Sequence, residues 1–370
     1  MKIGIDITRA IIENAGIGRF TREITQNLIR VGKTDDFVLL STHFRESKEK
    51  NEHLKDFIAP NVKIKRLKLP GDFKELAWGW PYALYENIYN KSDILLAPSF
   101  FEVHLAYKTP QVVIIHDMAT FLFPEQRGQE VSARHNKRVK KVCTKAKKII
   151  AISESTKNDI IKFLKINPER IEIVGPGLTQ FPEKGKLPSN LKSKSYILFV
   201  GTLEPRKNLK GLVQAYRLLS EDLREKYPLV IVGAKGWNTA FELEEIKETK
   251  GVNWLGYVSD ADLGELYRQA AIFAYPSLYE GFGLPVIEAQ QYGVPVLTSN
   301  ISSLPEAVGD GGVQIDPLDI NSIARGLQRL LEDKELAQSL GQKALEHAKK
   351  YSWEVSAQKI LDILKEVKGE

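Results

Sequence analysis

Short apolar runs that alternate with helical segments restrict the fold of this chain more than any other feature of the sequence. Several of these runs, such as those within Ile94–Ala97 and Val112–His116, are continuous stretches of Val, Ile and Leu. Strands of this kind are buried on both faces, as in a parallel sheet that helices cover on both sides. The sequence therefore predicts an α/β fold. In the first half the predicted strands are Lys2–Ile7, Phe37–Ser41, Val62–Leu67, Ile94–Ala97, Val112–His116 and Ile149–Ser153.

The alternation stops once and then starts again. Pro182–Ser195 reads PEKGKLPSNLKSKS, a composition typical of a linker. We therefore expect two Rossmann-like domains, residues 1–180 and 181–351, whose parallel sheets face each other across a cleft. Residues 352–370 contain a predicted amphipathic helix, Ser352–Val367. The predicted strands of the second half are Tyr196–Gly201, Leu229–Gly233, Val252–Tyr257, Ile272–Tyr275 and Val294–Thr298.

The most informative motif is YPSLYEGFGLPVIEAQQYGVPV, which begins at Tyr275. A strand is followed by a loop with Gly281 and Gly283, and a helix opens at the Leu-Pro pair. Glycines let backbone N–H groups approach a ligand, and a helix N-terminus favours phosphate. Glu280 at the loop and Glu288 in the helix suit hydroxyl groups of a sugar or ribose instead. For either Glu alone, a solvated charge is the alternative interpretation.

A second motif, FVGTLEPRKNL, lies after the first strand of the second half. Gly201 ends the strand, and Arg206 and Lys207 occupy the turn before a helix. A guanidinium and an ammonium group are the usual partners of a diphosphate. A solvated basic turn, in which Glu204 pairs with Arg206, is an equally good interpretation of this motif alone.

Two features of the first half give weaker signals. Gly16 and Gly18 precede the predicted helix Phe20–Val31, as in a phosphate-binding loop. The dinucleotide fingerprint requires a third Gly where Thr21 stands, so we disfavour a nicotinamide-dependent dehydrogenase. His116 closes a strand at its carboxyl end, where a neutral imidazole can bind a substrate hydroxyl. A structural histidine is the alternative.

An Asp-x-Asp pair, Asp260 and Asp262, resembles the metal-binding pair of some transferases. Ser259 stands three residues before Asp262, and apolar helix residues follow, which is close to a capping box. We therefore predict a helix cap here and no metal site.

The charge and the cysteine content of the chain restrict the class of binding partner and the cellular compartment. The formal net charge is +6, which favours an anionic partner such as a nucleotide, a phospholipid surface or nucleic acid. Cys143 is the one cysteine, so no intrachain disulfide can form, and a single thiol fits a reducing compartment. The first residues are too polar for a secretory signal, and no apolar run approaches the ~18 residues of a membrane span. We therefore expect a cytoplasmic protein.

Two basic stretches of the first half suggest a peripheral contact with an anionic membrane. Arg134–Lys148 is rich in Lys and Arg, and Lys63–Tyr85 combines basic residues with Trp78 and Trp80. Basic and aromatic mixtures of this kind occur at membrane interfaces. A solvated helix face, with the tryptophans in the core or in an acceptor cleft, is the alternative.

Taken together, the motifs GTLEPRKN, LGYVSDADL, YPSLYEGFGLPVIEA and GVPVLTSN resemble glycosyltransferase family 4, the retaining enzymes of the GT-B fold. The resemblance extends over most of the chain and is most specific in the second half. It implies a nucleotide-sugar donor and a last helix that returns to the N-terminal domain. It implies that Glu280 contacts hydroxyls of the donor sugar and that Glu288 contacts the ribose. Arg206 and Lys207 would bind the diphosphate, and backbone groups of Gly283 and Leu284 would contact the phosphates. Val258 would lie near the base, Gly16 and Gly18 would form the glycine loop, and His116 would lie near the reacting sugar.

The segment HDMATFLFPE resembles a subset with many mannosyltransferases, so the resemblance implies GDP-mannose as the first donor and a UDP-sugar as the second. It also implies a glycan or lipid-linked acceptor, polysaccharide or lipopolysaccharide biosynthesis, no cofactor, and attack on the same face of the sugar that the diphosphate leaves.

Other functions stay open on the sequence alone. A GT-B-type epimerase would share the fold without transferring a sugar to a glycan. A phosphorylase needs a pyridoxal phosphate lysine, and we identify none. A non-catalytic binding protein would lose one of Glu280, Arg206 and Lys207, all of which are present. A nucleic-acid-binding protein would leave the Glu and Gly motif without a role, so we expect no nucleic acid partner.

Overall fold

A computed structural model describes residues 1–13, 16–42, 48–67, 91–101, 108–236 and 239–369. The chain divides into two compact units. The first contains Met1–Leu122, Gln129–Gly177 and Ser352–Glu370, and the second contains Phe123–Gly128 and Leu178–Tyr351. The Pro- and Lys-rich stretch therefore lies inside the second unit. No helix within the described ranges is both long and apolar enough to span a membrane.

The first unit is built on a parallel sheet of seven strands in the described part of the chain. Its inner strands are continuous apolar runs and are fully buried, which confirms the predicted α/β fold. The strands are β1 (Lys2–Asp6), β2 (Asp36–Thr42), β3 (Val62–Leu67), β4 (Ile94–Ala97), β5 (Gln111–Ile115), β6 (Lys148–Ala151) and β7 (Ile171–Ile173). Their order in the sheet is β3-β2-β1-β4-β5-β6-β7. The helices among them are α1 (Thr8–Ile12), α2 (Ile17–Val31), α3 (Lys48–Lys55), α4 (Ala119–Leu122), α5 (Gln129–Lys145) and α6 (Glu154–Leu164).

The second unit repeats this plan with a parallel sheet of six strands. The strands are β8 (Ile197–Val200), β9 (Leu229–Val232), β10 (Val252–Gly256), β11 (Ile272–Tyr275), β12 (Val296–Ser299) and β13 (Gly312–Ile315). Their order is β10-β9-β8-β11-β12-β13. The helices are α7 (Leu209–Arg217), α8 (Glu221–Lys226), α9 (Ala240–Glu248), α10 (Asp260–Gln269), α11 (Leu284–Gln290), α12 (Leu304–Val308), α13 (Ile320–Glu332) and α14 (Lys334–Ala348).

The last helix, α15 (Trp353–Gly369), belongs to the first unit. The ring of Trp353 meets the ring of Phe20 of α2 edge to face, with centroids 5.2 Å apart. Ser356 donates a hydrogen bond to the carbonyl oxygen of Gly175 (2.7 Å). The helix therefore completes the packing of the first unit.

Each sheet changes direction at one point. In the first sheet the chain moves outward from β1 to β3 and then returns to place β4 on the other side of β1. In the second sheet it moves outward from β8 to β10 and then returns to place β11 on the other side of β8. Ligands of open α/β sheets bind at the carboxyl ends of the strands beside such a switch point. The loops that follow β8 and β11 are therefore where a ligand of the second unit is expected.

Candidate active site

The loops after β8 and β11 are tied together by hydrogen bonds. The first loop forms a 3-10 turn, Pro205–Lys207, which ends at Asn208 in the left-handed conformation (φ 55°). The Asn208 side chain donates to the carbonyl oxygens of Pro276 (3.1 Å) and Pro317 (2.7 Å). The backbone N–H of Leu278 donates to the carbonyl oxygen of Arg206 (2.8 Å). The turn that carries Arg206 and Lys207 is thereby held against the loop that carries Glu280.

Glu280 is the centre of the site, and its side chain is 9% exposed. Its Oε1 accepts hydrogen bonds from Lys207 Nζ (2.7 Å), Ser277 Oγ (2.6 Å) and Tyr275 OH (3.0 Å). Its Oε2 accepts from Arg206 Nη1 (3.0 Å). The structure therefore brings together Glu280, Arg206 and Lys207, three of the residues that the resemblance assigned to the donor.

Arg206 lies between two carboxylates. Its Nη2 donates to Glu204 Oε1 (2.6 Å), while Nη1 donates to Glu280 Oε2 and to the carbonyl oxygen of Tyr279 (2.5 Å). The pairing of Arg206 with Glu204, which we considered as the alternative to a ligand site, thus occurs within the same cluster as Glu280. Two acids and two bases balance one another in this cluster.

Burial and charge shift the pKa values of the cluster. Burial would raise the pKa of Glu280, but the charges of Arg206 and Lys207 outweigh it and lower that pKa to about 2. Burial lowers the pKa of Lys207, against the opposing attraction of Glu280. Burial and then the charge of Glu280 raise the pKa of Tyr275 well above its usual 10. At neutral pH Glu280 is therefore an anion, and Tyr275 keeps the proton that it donates to Glu280.

Of the two glycines of this unit that the motifs singled out, Gly283 has a conformation that requires glycine, whereas Gly201 does not. Gly201 follows β8 and lies under the Lys207 side chain, since a Cβ there would lie 3.8 Å from Lys207 Cε. Gly283 is the N-cap of α11, with a φ of 107° and no room for a side chain, because a Cβ would lie 2.9 Å from Leu304 Cδ2. Helix α11 begins at Leu284, which confirms the predicted opening of the helix.

Glu288 and Val258 lie in other parts of the unit. The Glu288 carboxylate accepts hydrogen bonds from Thr179 Oγ1 (2.9 Å) and Tyr267 OH (3.0 Å), and the residue is 4% exposed. Val258 follows the carboxyl end of β10 and is half-buried. Neither residue shares the hydrogen bonds that link Glu280 to Arg206 and Lys207.

The first unit holds the two glycines at the start of α2. Gly16 is the N-cap with a φ of 57°, and a Cβ there would meet nothing within 4 Å. A Cβ at Gly18 would overlap the backbone oxygen of Glu13. Helix α1, which the sequence analysis did not predict, occupies much of the segment between β1 and these glycines. Gly16 is exposed, whereas Gly18 permits close packing of the chain.

His116 follows β5 in the first unit and has a defined tautomer. Burial lowers the pKa of His116 to about 4, although the hydrogen bond to Pro98 and the charge of Asp117 act in the opposite direction. Its Nε2 lies 2.7 Å from the carbonyl oxygen of Pro98, an acceptor, so Nε2 carries the hydrogen. The ring of Phe20 packs against the imidazole at 4.8 Å. His116 is therefore neutral at pH 7, with Nδ1 as its hydrogen-bond acceptor.

The Asp-x-Asp pair lies at the start of α10. Ser259 Oγ accepts the backbone N–H of Asp262 (3.2 Å) and donates to Asp262 Oδ2 (2.7 Å), which confirms the predicted cap. Asp262 Oδ1 also accepts the backbone N–H of Lys186 (2.8 Å). In the described part of the chain, no group of three or more His, Cys, Asp or Glu residues could hold a metal ion.

The basic stretch Arg134–Lys148 is divided between two roles. Arg138 donates to the carbonyl oxygens of Phe100 (3.1 Å) and Phe101 (3.0 Å), and Lys148 pairs with Glu172 and Glu366. The other basic side chains of the stretch are exposed on or just after α5, namely Arg134, Lys137, Lys140, Lys141, Lys145 and Lys147. Trp78 and Trp80 lie outside the described residues.

Sequence reasoning missed several partners of Glu280. Tyr275 is the last residue of β11, Ser277 follows two residues later, and Ser302 lies after β12. Ser302 Oγ accepts the backbone N–H of Glu280 (3.1 Å) and donates to its carbonyl oxygen (2.6 Å). Their position after the carboxyl ends of adjacent strands was the available signal, because those ends meet at one edge of the sheet.

Two protein-family models together match most of the chain. Residues 15–179 match "Glycosyltransferase Family 4", and residues 182–347 match "Glycosyl transferases group 1". The chain is 35% identical over 277 residues to the O-antigen chain mannosyltransferase B of Escherichia coli, a match that covers 71% of this chain and 72% of that protein. It is 31% identical over 290 residues to the serotype-specific mannosyltransferase WbdA of Escherichia coli, covering 70% of this chain and 35% of WbdA.

The fold is shared with solved structures at low sequence identity. HepE from Anabaena, solved in complex with UDP-glucose, superposes with a TM-score of 0.75 at 18% identity, over 99% of this chain and 100% of HepE.

Proposed function

The chain belongs to glycosyltransferase family 4, and we propose its function on that basis. It is a hexosyltransferase of the GT-B fold that moves a sugar to a glycan acceptor. The finer proposal is that the sugar is mannose, that its donor is GDP-mannose, and that the acceptor is a glycan or lipid-linked glycan of O-antigen type. A UDP-sugar is the alternative donor, since HepE was solved with UDP-glucose.

One observation carries the proposal: a buried, charge-balanced cluster at the switch point of the second sheet. Arg206 and Lys207 stand after β8, in the place where a donor diphosphate would bind. When the anomeric C–O bond breaks, negative charge grows on the leaving diphosphate, and cationic donors held in advance stabilise it. Such a pair supplies the charge that a metal ion supplies in other transferases, so we propose that transfer requires neither a metal nor a cofactor.

The hydrogen bonds of Glu280 leave a defined place for a sugar hydroxyl. A carboxylate offers about four acceptor positions. Oε1 already accepts three hydrogen bonds, whereas Oε2 accepts one, from Arg206. We therefore assign Oε2 of Glu280 to a hydroxyl of the donor sugar, close to the diphosphate that Arg206 would hold.

His116 would act as an acceptor rather than as a proton donor. Its Nε2–H is used by Pro98, so Nδ1 is the nitrogen available to a hydroxyl of the reacting sugar. A neutral imidazole avoids placing a positive charge beside an oxocarbenium-like centre. Of the two carboxylates in the cluster of the second unit, Glu280 is the one that we assign to the sugar, whereas Glu204 accepts a hydrogen bond from Arg206, so we do not assign the pair to the double displacement of retaining glycosidases. Same-face attack, with the leaving phosphate accepting the acceptor proton, is the mechanism we propose.

Titration with the two candidate donors and with the nucleotide that each would release tests this function. GDP, UDP, GDP-mannose and UDP-glucose are added separately to the full chain, and the melting temperature is followed. Ligand at about 100 times its Kd stabilises the bound fold by about 2.7 kcal/mol. Protection by GDP above that by UDP, with release of GDP when a mannose-terminated glycan is added, supports the proposal. Protection by UDP alone would transfer the assignment to a UDP-sugar.

We also propose a cytoplasmic location and a peripheral contact between the basic face of α5 and anionic lipid. The exposed lysines of α5 support this contact, since each contributes about 1 kcal/mol near an anionic surface. Co-sedimentation with anionic and neutral vesicles tests it, using the variant Lys140→Gln with Lys141→Gln. The matched control is Lys349→Gln with Lys350→Gln, because these two exposed lysines directly follow α14. Equal recovery with both kinds of vesicle would leave these lysines as a solvated face.

A further inference from the structure

Glu204 is a buried carboxylate that the proposed reaction does not use. Its side chain is 4% exposed, and it precedes the turn that carries Arg206 and Lys207. A buried carboxylate is costly unless it is paired, and a negative charge beside a diphosphate opposes binding of that diphosphate. A residue that lowers affinity for the donor at this position needs a compensating role.

The geometry of Arg206 indicates that role. Glu204 Oε1 accepts from Nη2, whereas Glu280 Oε2 and the carbonyl oxygen of Tyr279 accept from Nη1. The two ends of the planar guanidinium are thus held by different partners, which fixes the plane as well as the position of the group. Without Glu204, the Nη2 end would lose its 2.6 Å acceptor and, with it, one of the contacts that orient the plane.

We propose that Glu204 is a positioning residue, which orients the Arg206 guanidinium for the charge that develops on the leaving diphosphate. This inference rests on the proposed function, because it requires a diphosphate at Arg206. Glu204 weakens binding of the nucleoside diphosphate through its charge and speeds transfer through the orientation of Arg206. Orientation and charge therefore act in opposite directions on affinity and turnover, which a purely structural role would not produce.

Two variants separate charge from orientation. Glu204→Gln removes the charge but keeps an acceptor oxygen within reach of Nη2, so GDP binds about fivefold tighter and kcat stays within about threefold of wild type. Glu204→Ala removes both, so GDP binds at least as tightly as to wild type, while kcat falls about tenfold to a hundredfold. Glu225→Gln is the control for net charge, because Glu225 is 63% exposed on α8, before the amino end of β9. It leaves both quantities unchanged.

A double-mutant cycle shows whether Glu204 acts through Arg206. If it does, Arg206→Ala with Glu204→Ala loses no more kcat than Arg206→Ala alone. The readouts are calorimetric titration with GDP, initial rates with GDP-mannose, and melting temperatures of all variants.

The inference is overturned if Glu204→Ala keeps the turnover of wild type, or if the losses of the two alanine variants multiply. It is also overturned if Glu204→Gln, which preserves shape, binds GDP no tighter than wild type. That last result remains decisive even if Glu204→Ala does not fold. A wild-type chain that binds neither GDP nor UDP would instead count against the proposed function, before any variant is compared.

Discussion

Replacing Glu280 with Gln should destabilise the second unit, because the amide cannot serve both cations. Glu280 accepts from Lys207 Nζ at 2.7 Å and from Arg206 Nη1 at 3.0 Å on its two different oxygens. In Glu280→Gln one of these oxygens becomes an NH₂ group that faces a buried cationic donor. A hydrogen bond to a charged group contributes about 1.5–3 kcal/mol, so the loss lies near the top of that range.

The pKa of Glu280 gives the same magnitude by another route. Its fall from 4.5 to about 2 corresponds to about 3 kcal/mol of preference for the charged form in the fold. Because the folded-state pKa lies below the unfolded value, this stabilisation is present above pH 4.5 and is lost as the pH falls from 4.5 towards 2. The free energy of unfolding of wild type should therefore fall more steeply over this pH range than that of Glu280→Gln.

Thermal melting at pH 7 measures the main effect. For a unit of this size, about 3 kcal/mol lowers the melting temperature by about 6–12 °C. Glu346→Gln is the matched control, since Glu346 is 72% exposed and pairs with Lys349 on the surface of α14. A surface pair contributes at most about 1 kcal/mol, so the control should melt within a few degrees of wild type. Equal melting temperatures of Glu280→Gln and the control would refute the conclusion that Glu280 stabilises the fold through Arg206 and Lys207.

Three further predictions concern the reaction itself. Lys207→Met should lower kcat by about a hundredfold to a thousandfold and weaken GDP binding, whereas Lys349→Met should leave both unchanged in the same rate and titration assays; normal turnover of Lys207→Met would remove Lys207 from the site. Because the pKa of His116 is about 4, the pH–rate profile from pH 5 to 8 should lack a His116 inflection, and the profiles of wild type and His116→Ala should run parallel. An inflection near 6.5 present only in wild type would show that His116 titrates in the working range. Transfer should persist in EDTA, and activity that EDTA abolishes and magnesium restores would contradict the proposal that Arg206 and Lys207 replace a metal.

The central strands could be predicted from the sequence, but two edge strands could not. Ile94–Ala97 and Ile272–Tyr275 form strands with the predicted bounds, and each is a continuous apolar run that is fully buried. The edge strand Val62–Leu67 also has the predicted bounds, although it is only partly buried. Strands β7 and β13 were missed. Each is short, is partly exposed at a sheet edge and carries Glu172 or Gln314 among its few residues, so neither forms a continuous apolar run.

The candidate site was predictable as a set of residues but not as a set of contacts. Glu280, Arg206 and Lys207 follow from local motifs, since each stands in a loop after an apolar strand. Their hydrogen bonds depend on β8 and β11 being neighbours, and many residues separate these strands in the chain. The sequence could therefore offer Glu204 as a partner of Arg206 only as an alternative to a ligand site. In the structure Arg206 donates hydrogen bonds to both carboxylates, Glu204 and Glu280.

The docking of α15 on α2 sets an order for folding on the ribosome. Phe20 is synthesised early, but Trp353, which packs against it, follows the whole of residues 178–351. At about 5–20 residues per second, synthesis of residues 178–351 takes roughly ten to thirty seconds. The second unit can therefore finish folding while the first unit still exposes the apolar surface that α15 will cover. During synthesis a chaperone such as a holdase would recognise that uncovered apolar surface. Once the completed chain is released, α15 can dock and cover the surface.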